Sequence, residues 1–260
     1  MSLLEVRGIT LTFKGLAALL NVGFTVEEGE ICSLIGPNGA GKTSMLNCIS
    51  GRYTPDEGSI LLDGKPLLPM KPSKRTTLGL SRTFQNIALF RGLSVLDNLM
   101  VGRHSRMGYG LLASCLYWGK ARRGEDAHRR RVEEVIDFLG LSPFRHQPAG
   151  RLPYGVQKRV ELGRALAAEP RLILLDEPMA GMNLEETEDM ARYILDINEE
   201  WGATVLLVEH DMGVVMDISE KVVVLDFGSV LAEGAPEEVQ QNPDVVAAYL
   251  GSEDATFLGR

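Results

Sequence analysis

The chain has 260 residues, 45% hydrophobic and 24% charged, with a formal net charge of −8. That length suits one large α/β domain or two small ones, and the acidic balance argues against a nucleic-acid surface as its main business. Cys32, Cys48 and Cys115 lack metal-ligand spacing and are odd in number, which disfavours a disulfide framework and fits a reducing, cytosolic setting.

The N-terminal stretch MSLLEVRGIT has no basic segment followed by a long apolar run, so no secretory signal is expected. Residues 3–28 contain short β-like runs such as Ile9–Phe13. The apolar run Ile31–Ile35 then predicts a buried strand. It leads into Gly36, Pro37, Asn38, Gly39, Ala40, Gly41, Lys42 and Thr43, the pattern G-x-x-x-x-G-K-[ST] of a phosphate-binding P-loop. The glycines let the backbone turn tightly and aim successive N–H groups at phosphate oxygens. Lys42 can reach the β- and γ-phosphates and the Thr43 hydroxyl can ligate Mg²⁺. A helix over Thr43–Ile49, which includes Ser44, adds its positive dipole end. A Gly-rich turn without a ligand is the bland alternative. Gly36 through Ser44 are expected to bind nucleotide.

Residues 58–63, followed by Gly64, read as a strand and turn. Ser81–Asn86 holds a short strand ending near Gln85, whose amide could sense both Mg²⁺ and an attacking water. Residues 88–168 lack strong strand runs and read as mostly helical, with Val132, Val135, Ile136 and Leu139 at helical spacing. The longest apolar tract outside the core strands, Leu111–Trp118, is far short of the ~20 residues of a spanning helix. It reads as helical core, or as part of a groove that receives a partner's helix. The basic stretch from Arg122 to Arg131 reads as a solvated helix face, with contact to headgroups or a partner's loop as the alternative.

Leu172–Asp176, Thr204–Val208 and Lys221–Leu225 suit strands buried on both faces of a parallel sheet. Met190, Tyr193, Ile194, Ile197 and Trp201 mark a helix, and Gly228 suggests a closing hairpin. Asp176 ends its strand where α/β sheets bind ligands and fits a Walker-B acid holding Mg²⁺ through water. Glu177, one residue on, points elsewhere and could polarise the water that attacks the γ-phosphate. His210, just past the next strand, can hydrogen-bond a phosphate oxygen. The expected architecture is an α/β nucleotide-binding core interrupted by a helical lobe.

Together these residues resemble the nucleotide-binding subunit of ABC transporters over nearly the whole chain. More narrowly, Arg82–Asn86, Ala180–Asn183, Glu209–Met212 and Asn242–Gly251 are similar to the ATPases of branched-chain amino acid importers, a family shared with urea and short-chain amide importers. The resemblance implies a RecA-like P-loop NTPase core with an antiparallel β-lobe and an inserted helical signature lobe. The whole chain, 1–260, would be a single cassette: about 1–87 and 168–250 form core and β-lobe, about 88–167 the helical lobe, and 251–260 a tail. Gln85, Glu177 and His210 match the Q-loop, the catalytic glutamate and the switch histidine; Thr43, Gln85 and Asp176 match the Mg²⁺ site. Phe13 stands where the family stacks an aromatic on adenine.

The implied cofactors are ATP and Mg²⁺. The implied partners are a second ATPase subunit, paralogous or identical, two integral-membrane permease subunits, and indirectly an extracytoplasmic solute-binding protein, with no nucleic acid. The implied place is peripheral, on the cytoplasmic side of the plasma membrane. A soluble ABC-type ATPase acting on nucleic acid or ribosomes, and a non-catalytic regulatory nucleotide binder, are the alternatives.

Two departures stand out. The family signature L-S-G-G-Q, which lies on the opposite subunit's ATP, is here Leu152-Pro153-Tyr154-Gly155-Val156. Pro153 offers neither a hydroxyl nor an N–H; Gly155 and a helix over Val156–Ala167 remain to face the phosphate. Asn183 replaces an aspartate found in many ABC proteins.

Overall fold

The computed structural model describes residues 1–83, 85, 87–106 and 120–250. Phe84, Asn86, Cys115, the Leu111–Trp118 tract, Gly251 and the tail at 251–260 lie outside the described residues. Two compact units emerge. One comprises Met1–Arg82, Arg171–Glu177 and the described residues from Ala191 onward; the other comprises the described residues of Thr83–Pro170 and Pro178–Met190.

The first unit is built on two sheets. Strands β1 (Ser2–Phe13), β2 (Leu16–Glu27), β4 (Glu57–Leu62) and β5 (Lys65–Pro66) form an antiparallel sheet in the order β2-β1-β4-β5. Its β1 and β2 are far longer than the short runs expected there. Their burial alternates with interruptions at four register shifts, because each bulge inserts a residue and reverses which side chains face inward.

The second sheet has the order β10-β9-β3-β8-β7-β6. Its strands are β3 (Ile31–Ile35), β6 (Leu80–Arg82), β7 (Leu172–Asp176), β8 (Thr204–Val208), β9 (Lys221–Asp226) and β10 (Ser229–Gly234). All neighbours are parallel except β9 and β10, which close as the hairpin expected at Gly228. Every residue of β3, β7 and β8 is buried, the reason their sequences read as unbroken apolar runs. Helix α1 (Lys42–Ser50) follows β3 and buries Met45, Leu46 and Ile49. It is joined in this unit by the short α2 (Pro72–Thr77), and by α7 (Met212–Ile218), α8 (Pro236–Gln241) and α9 (Pro243–Leu250). Val239, Val245 and Tyr249 pack with Val215, Val222 and Val224. Cys32 and Cys48 are free and buried in β3 and α1, and burial pushes the Cys48 thiol up to about 11.

The second unit is helical. Among its described residues the only β contact is one bridge between Ser94 and Pro148. Its helices are α3 (Val95–Arg103), α4 (Lys120–Phe138) and α5 (Tyr154–Leu166), with the start of α6 (Leu184–Glu199). Ser94 caps α3 by accepting the Asp97 N–H at 3.1 Å. Gly163 lets helices meet closely: a Cβ there would lie 2.9 Å from Leu139 Cδ1 and 3.3 Å from Leu99 Cδ2. Val132, Val135, Ile136 and Leu139 are fully buried, as their spacing predicts. Within the basic stretch, Arg129 and Arg130 are exposed, whereas Arg131 pairs with Glu134 and Glu169. Among the described residues no helix is long and apolar enough to cross a membrane.

Candidate nucleotide site

In a parallel sheet all the strands end on the same side, so β3, β7 and β8 deliver Gly36, Asp176–Glu177 and Glu209–His210 to one edge. The loop after β3 is held by its own backbone. Ala40 N–H donates to Pro37 O at 3.1 Å, and Gly228 N–H donates to Ala40 O at 3.1 Å. Two glycines are obligatory for space as well as for φ. A Cβ on Gly36 (φ +144°) would overlap the carbonyl oxygen of Leu225, and one on Gly41 (φ +106°) would lie 2.7 Å from Ala18 O. Gly39 (φ +84°) faces open space.

Lys42 is buried and its Nζ donates to the carbonyl oxygens of Gly36 and Pro37, the latter at 3.1 Å. The ammonium therefore already lies inside the loop, where it can meet phosphate oxygens. Asn38, Gly39 and Thr43 are exposed, Pro37 and Ser44 half-buried, and Ala40 buried. Phe13 is 44% exposed at the end of β1 and meets Tyr53 edge-on, with ring centroids 5.2 Å apart. That contact leaves an aromatic face to stack on a flat base.

Asp176 is only 1% exposed. Arg82 Nη2 donates to its Oδ2 at 2.8 Å, while Arg82 Nη1 donates to Asn47 Oδ1 and Ser50 Oγ, each at 2.8 Å. Glu177 is half-buried in the left-handed region at φ +49°, and its N–H donates to Val208 O at 2.9 Å. Such a conformation is uncommon for a residue with a side chain. It turns the Glu177 side chain off the strand direction that Asp176 follows. His210 has an exposed side chain in the loop after β8, beside the buried Glu209, whose Oε2 accepts the His210 N–H at 3.2 Å.

Chemistry, rather than count, decides whether a metal fits. Among the described residues no group of three or more His, Cys, Asp and Glu side chains could hold a metal alone. Mg²⁺ does not ask for one: it takes one or two carboxylates with waters and phosphate oxygens. The Asp176 carboxylate and the Thr43 hydroxyl are hard oxygen donors of that type, and the residues fit Mg²⁺ beside a triphosphate.

Gln85 and Gly155 belong to the second unit. Gln85 lies exposed in a bend three residues past the end of β6, not at a strand end as expected, because β6 stops at Arg82. Lys158 Nζ donates to its carbonyl oxygen at 3.4 Å. Gly155 is buried in the first turn of α5, with the Glu186 carboxylate placed where a Cβ would stand. That helix begins two residues earlier than expected. Pro153 (φ −52°, ψ 153°) is its N-cap and supplies the first helical carbonyl, to the Gln157 N–H at 3.0 Å. Asn183 Oδ1 accepts the Glu186 N–H at 2.9 Å at the start of α6, a capping bond that an aspartate would make equally.

Sequence reasoning missed Arg82, Glu209, Tyr53 and Glu186 as neighbours of these positions. Only a cation on an otherwise buried strand hints at Arg82; nothing in the local pattern names its partner.

A strand, a glycine-lined loop and a helix, with two carboxylates at the end of another parallel strand of the same sheet, define a P-loop nucleotide-binding protein. The sequence model of the ABC transporter family matches residues 19–180, and that of the branched-chain amino acid ATP-binding cassette transporter matches residues 229–255. The high-affinity branched-chain amino acid transport ATP-binding protein BraF of Pseudomonas aeruginosa is 42% identical over 249 residues, covering 96% of this chain and 98% of that protein. The corresponding LivG of Escherichia coli is 40% identical over 249 residues, with the same two coverages. Among solved structures, the ADP conformation of an ATP-binding cassette of an ABC transporter superposes with a TM-score of 0.84 at 32% identity, over 97% of this chain and 100% of that one. A nucleotide-free cassette gives 0.83 at 31% identity, over 96% and 99%. The chain belongs to the ABC transporter family, as one of its ATP-hydrolysing cassettes.

Proposed function

We propose that the chain powers an importer for branched-chain amino acids or related small polar or amide solutes. The observation that carries this reading is full-length similarity to transport ATP-binding proteins of that class, together with a matching C-terminal segment at 229–255. Phe13 stacks on adenine; Lys42 and the N–H groups of Gly36–Ser44 bind the phosphates. Thr43, Gln85 and Asp176 hold Mg²⁺, which when bound neutralises charge on the phosphates. Glu177 orients the attacking water and accepts its proton, and the His210 side chain hydrogen-bonds the γ-phosphate. Positioning and charge stabilisation carry the chemistry. Gly155, at the N-terminus of α5, faces the nucleotide of a second ATPase subunit, which we infer to be a paralogue.

The residues near 88–167 form the lobe that meets the membrane partners, two integral-membrane permease subunits fed by an extracytoplasmic solute-binding protein. The cassette works peripherally on the cytoplasmic side of the plasma membrane. The test is co-purification of the tagged chain from membranes, followed by ATPase assays with binding protein and leucine. Recovery of permease subunits and stimulation by leucine are expected. Recovery of ribosomes or DNA in their place would overturn the transport reading.

A further inference from the structure

We infer that Arg82 is a positioning residue that fixes the Asp176 carboxylate relative to the Thr43 hydroxyl, and so sets how strongly the site uses a divalent cation. The inference rests on the proposed placement of Mg²⁺ at Asp176 and Thr43. Arg82 is the half-buried last residue of β6, and its guanidinium spans two elements. Nη2 holds Asp176 Oδ2 at the end of β7, while Nη1 holds both Asn47 Oδ1 and Ser50 Oγ on α1, all at 2.8 Å. Ser50 Oγ in turn donates to Leu46 O at 2.8 Å.

Asn47 lies four residues after Thr43 on α1, hence on the same face one turn further along. One rigid helix thus carries the Thr43 hydroxyl at its start and the anchor for the Asp176 carboxylate a turn below. The planar fork of arginine suits this role, because it binds in two directions at fixed angles. Lysine, a single point charge, cannot hold the carboxylate and both α1 acceptors in that geometry. The pair differs from an ordinary surface ion pair in that both side chains are almost fully buried, at 8% and 1% exposure. Groups that hold a metal-binding carboxylate from behind commonly alter metal affinity by 10–100-fold when removed.

The experiment measures ATP affinity of the full chain by calorimetry twice, in EDTA and in millimolar Mg²⁺, and takes the ratio. Arg82→Met is expected to reduce the gain in affinity conferred by Mg²⁺ by roughly tenfold, with affinity in EDTA little changed. The double variant Asn47→Ala/Ser50→Ala leaves the Arg82–Asp176 pair but cuts its anchor. It is expected to move the ratio in the same direction, and it serves if Arg82→Met does not fold. Arg82→Lys should fall between Arg82→Met and the native chain. A merely structural role would lower the thermal midpoint and leave the ratio alone.

Asp176→Asn separates the two layers of the reading. If it abolishes the Mg²⁺ gain while the Arg82 and Asn47/Ser50 variants keep it, Arg82 is not a positioning residue and the metal placement stands. If Asp176→Asn keeps the gain, the metal placement fails and the inference fails with it. A gain that increases in Arg82→Met would show that Arg82 competes with the cation, which also overturns the inference.

Discussion

The backbone N–H of Glu177 donates to the carbonyl oxygen of Val208 at 2.9 Å, although Glu177 itself has left the strand conformation at φ +49°. Pairing between β7 and β8 therefore continues one residue past Asp176 while the side-chain direction changes. Two variants separate what this costs from what it does. Glu177→Gln keeps shape and hydrogen-bonding reach but loses the base. ATP binding should survive, and turnover should fall by about 10²-fold or more, measured by phosphate release; normal hydrolysis would remove Glu177 from the base role. Glu177→Gly should also stop turnover but raise stability by about 1 kcal/mol, because glycine adopts the left-handed region without strain.

The glycines of the phosphate loop should differ sharply in tolerance. Gly39→Ala places a Cβ in open space and incurs only the backbone term, about 1 kcal/mol, or some 2–4 °C in a chain of this size. Gly36→Ala drives its Cβ into the Leu225 carbonyl oxygen, and the displaced hairpin should cost well above that. Thermal unfolding of the two variants side by side checks the ranking; equal midpoints would contradict it.

Pro153 is the N-cap of α5 without a side-chain cap. Pro153→Ser gains a capping hydroxyl, about 1 kcal/mol, and loses the stiffness of proline, of similar size. Stability should change little. Turnover of the assembled complex should rise, since the serine hydroxyl and N–H would return to the segment that we propose faces the nucleotide of a second subunit. Unchanged turnover would mean that this site does not depend on them.

His128 accepts a hydrogen bond from Arg103 Nε at 3.2 Å. Burial first, and the Arg103 charge second, hold its pKa below the usual 6.5. A histidine whose folded pKa is depressed binds protons more readily when unfolded. Its contribution is complete above the unfolded value and is lost as pH falls through the window below it. The thermal midpoint should decline between pH 7 and pH 5 less steeply in His128→Gln than in the native chain. Parallel slopes would rule the group out as a contributor.

Much of this arrangement is written plainly in the chain. The runs at 31–35, 172–176, 204–208 and 221–225 announce parallel strands because burial on both faces leaves them almost wholly apolar, with one polar residue each in Ser33, Asp176, Thr204 and Lys221. The hairpin at Gly228 follows from its turn residues. The β1–β2 ribbon was harder to read, since its bulges break the period of two. Strand β6 is too short to have a period at all, which is why the sequence alone suggests a strand end near Gln85 rather than at Arg82. Arg82 shows the deeper limit. Its partners Asn47, Ser50 and Asp176 come from two distant stretches of sequence, and only the folded sheet brings them within reach. The same holds for Glu177, where an ordinary residue type gives no warning of a left-handed backbone.

The strand that carries the phosphate loop sits in the middle of its sheet, with Ile31 beside Val205 and Cys32 beside Lys221. Both neighbours are translated more than half the chain later. A nascent polypeptide leaving the ribosome thus holds the glycine turn long before it has the flanks that shape it, and such late, distant pairings fold slowly. Nucleotide capture becomes possible only for a finished polypeptide. Because a ligand that binds only the completed fold stabilises it by mass action, cellular ATP would favour whole cassettes over truncated ones.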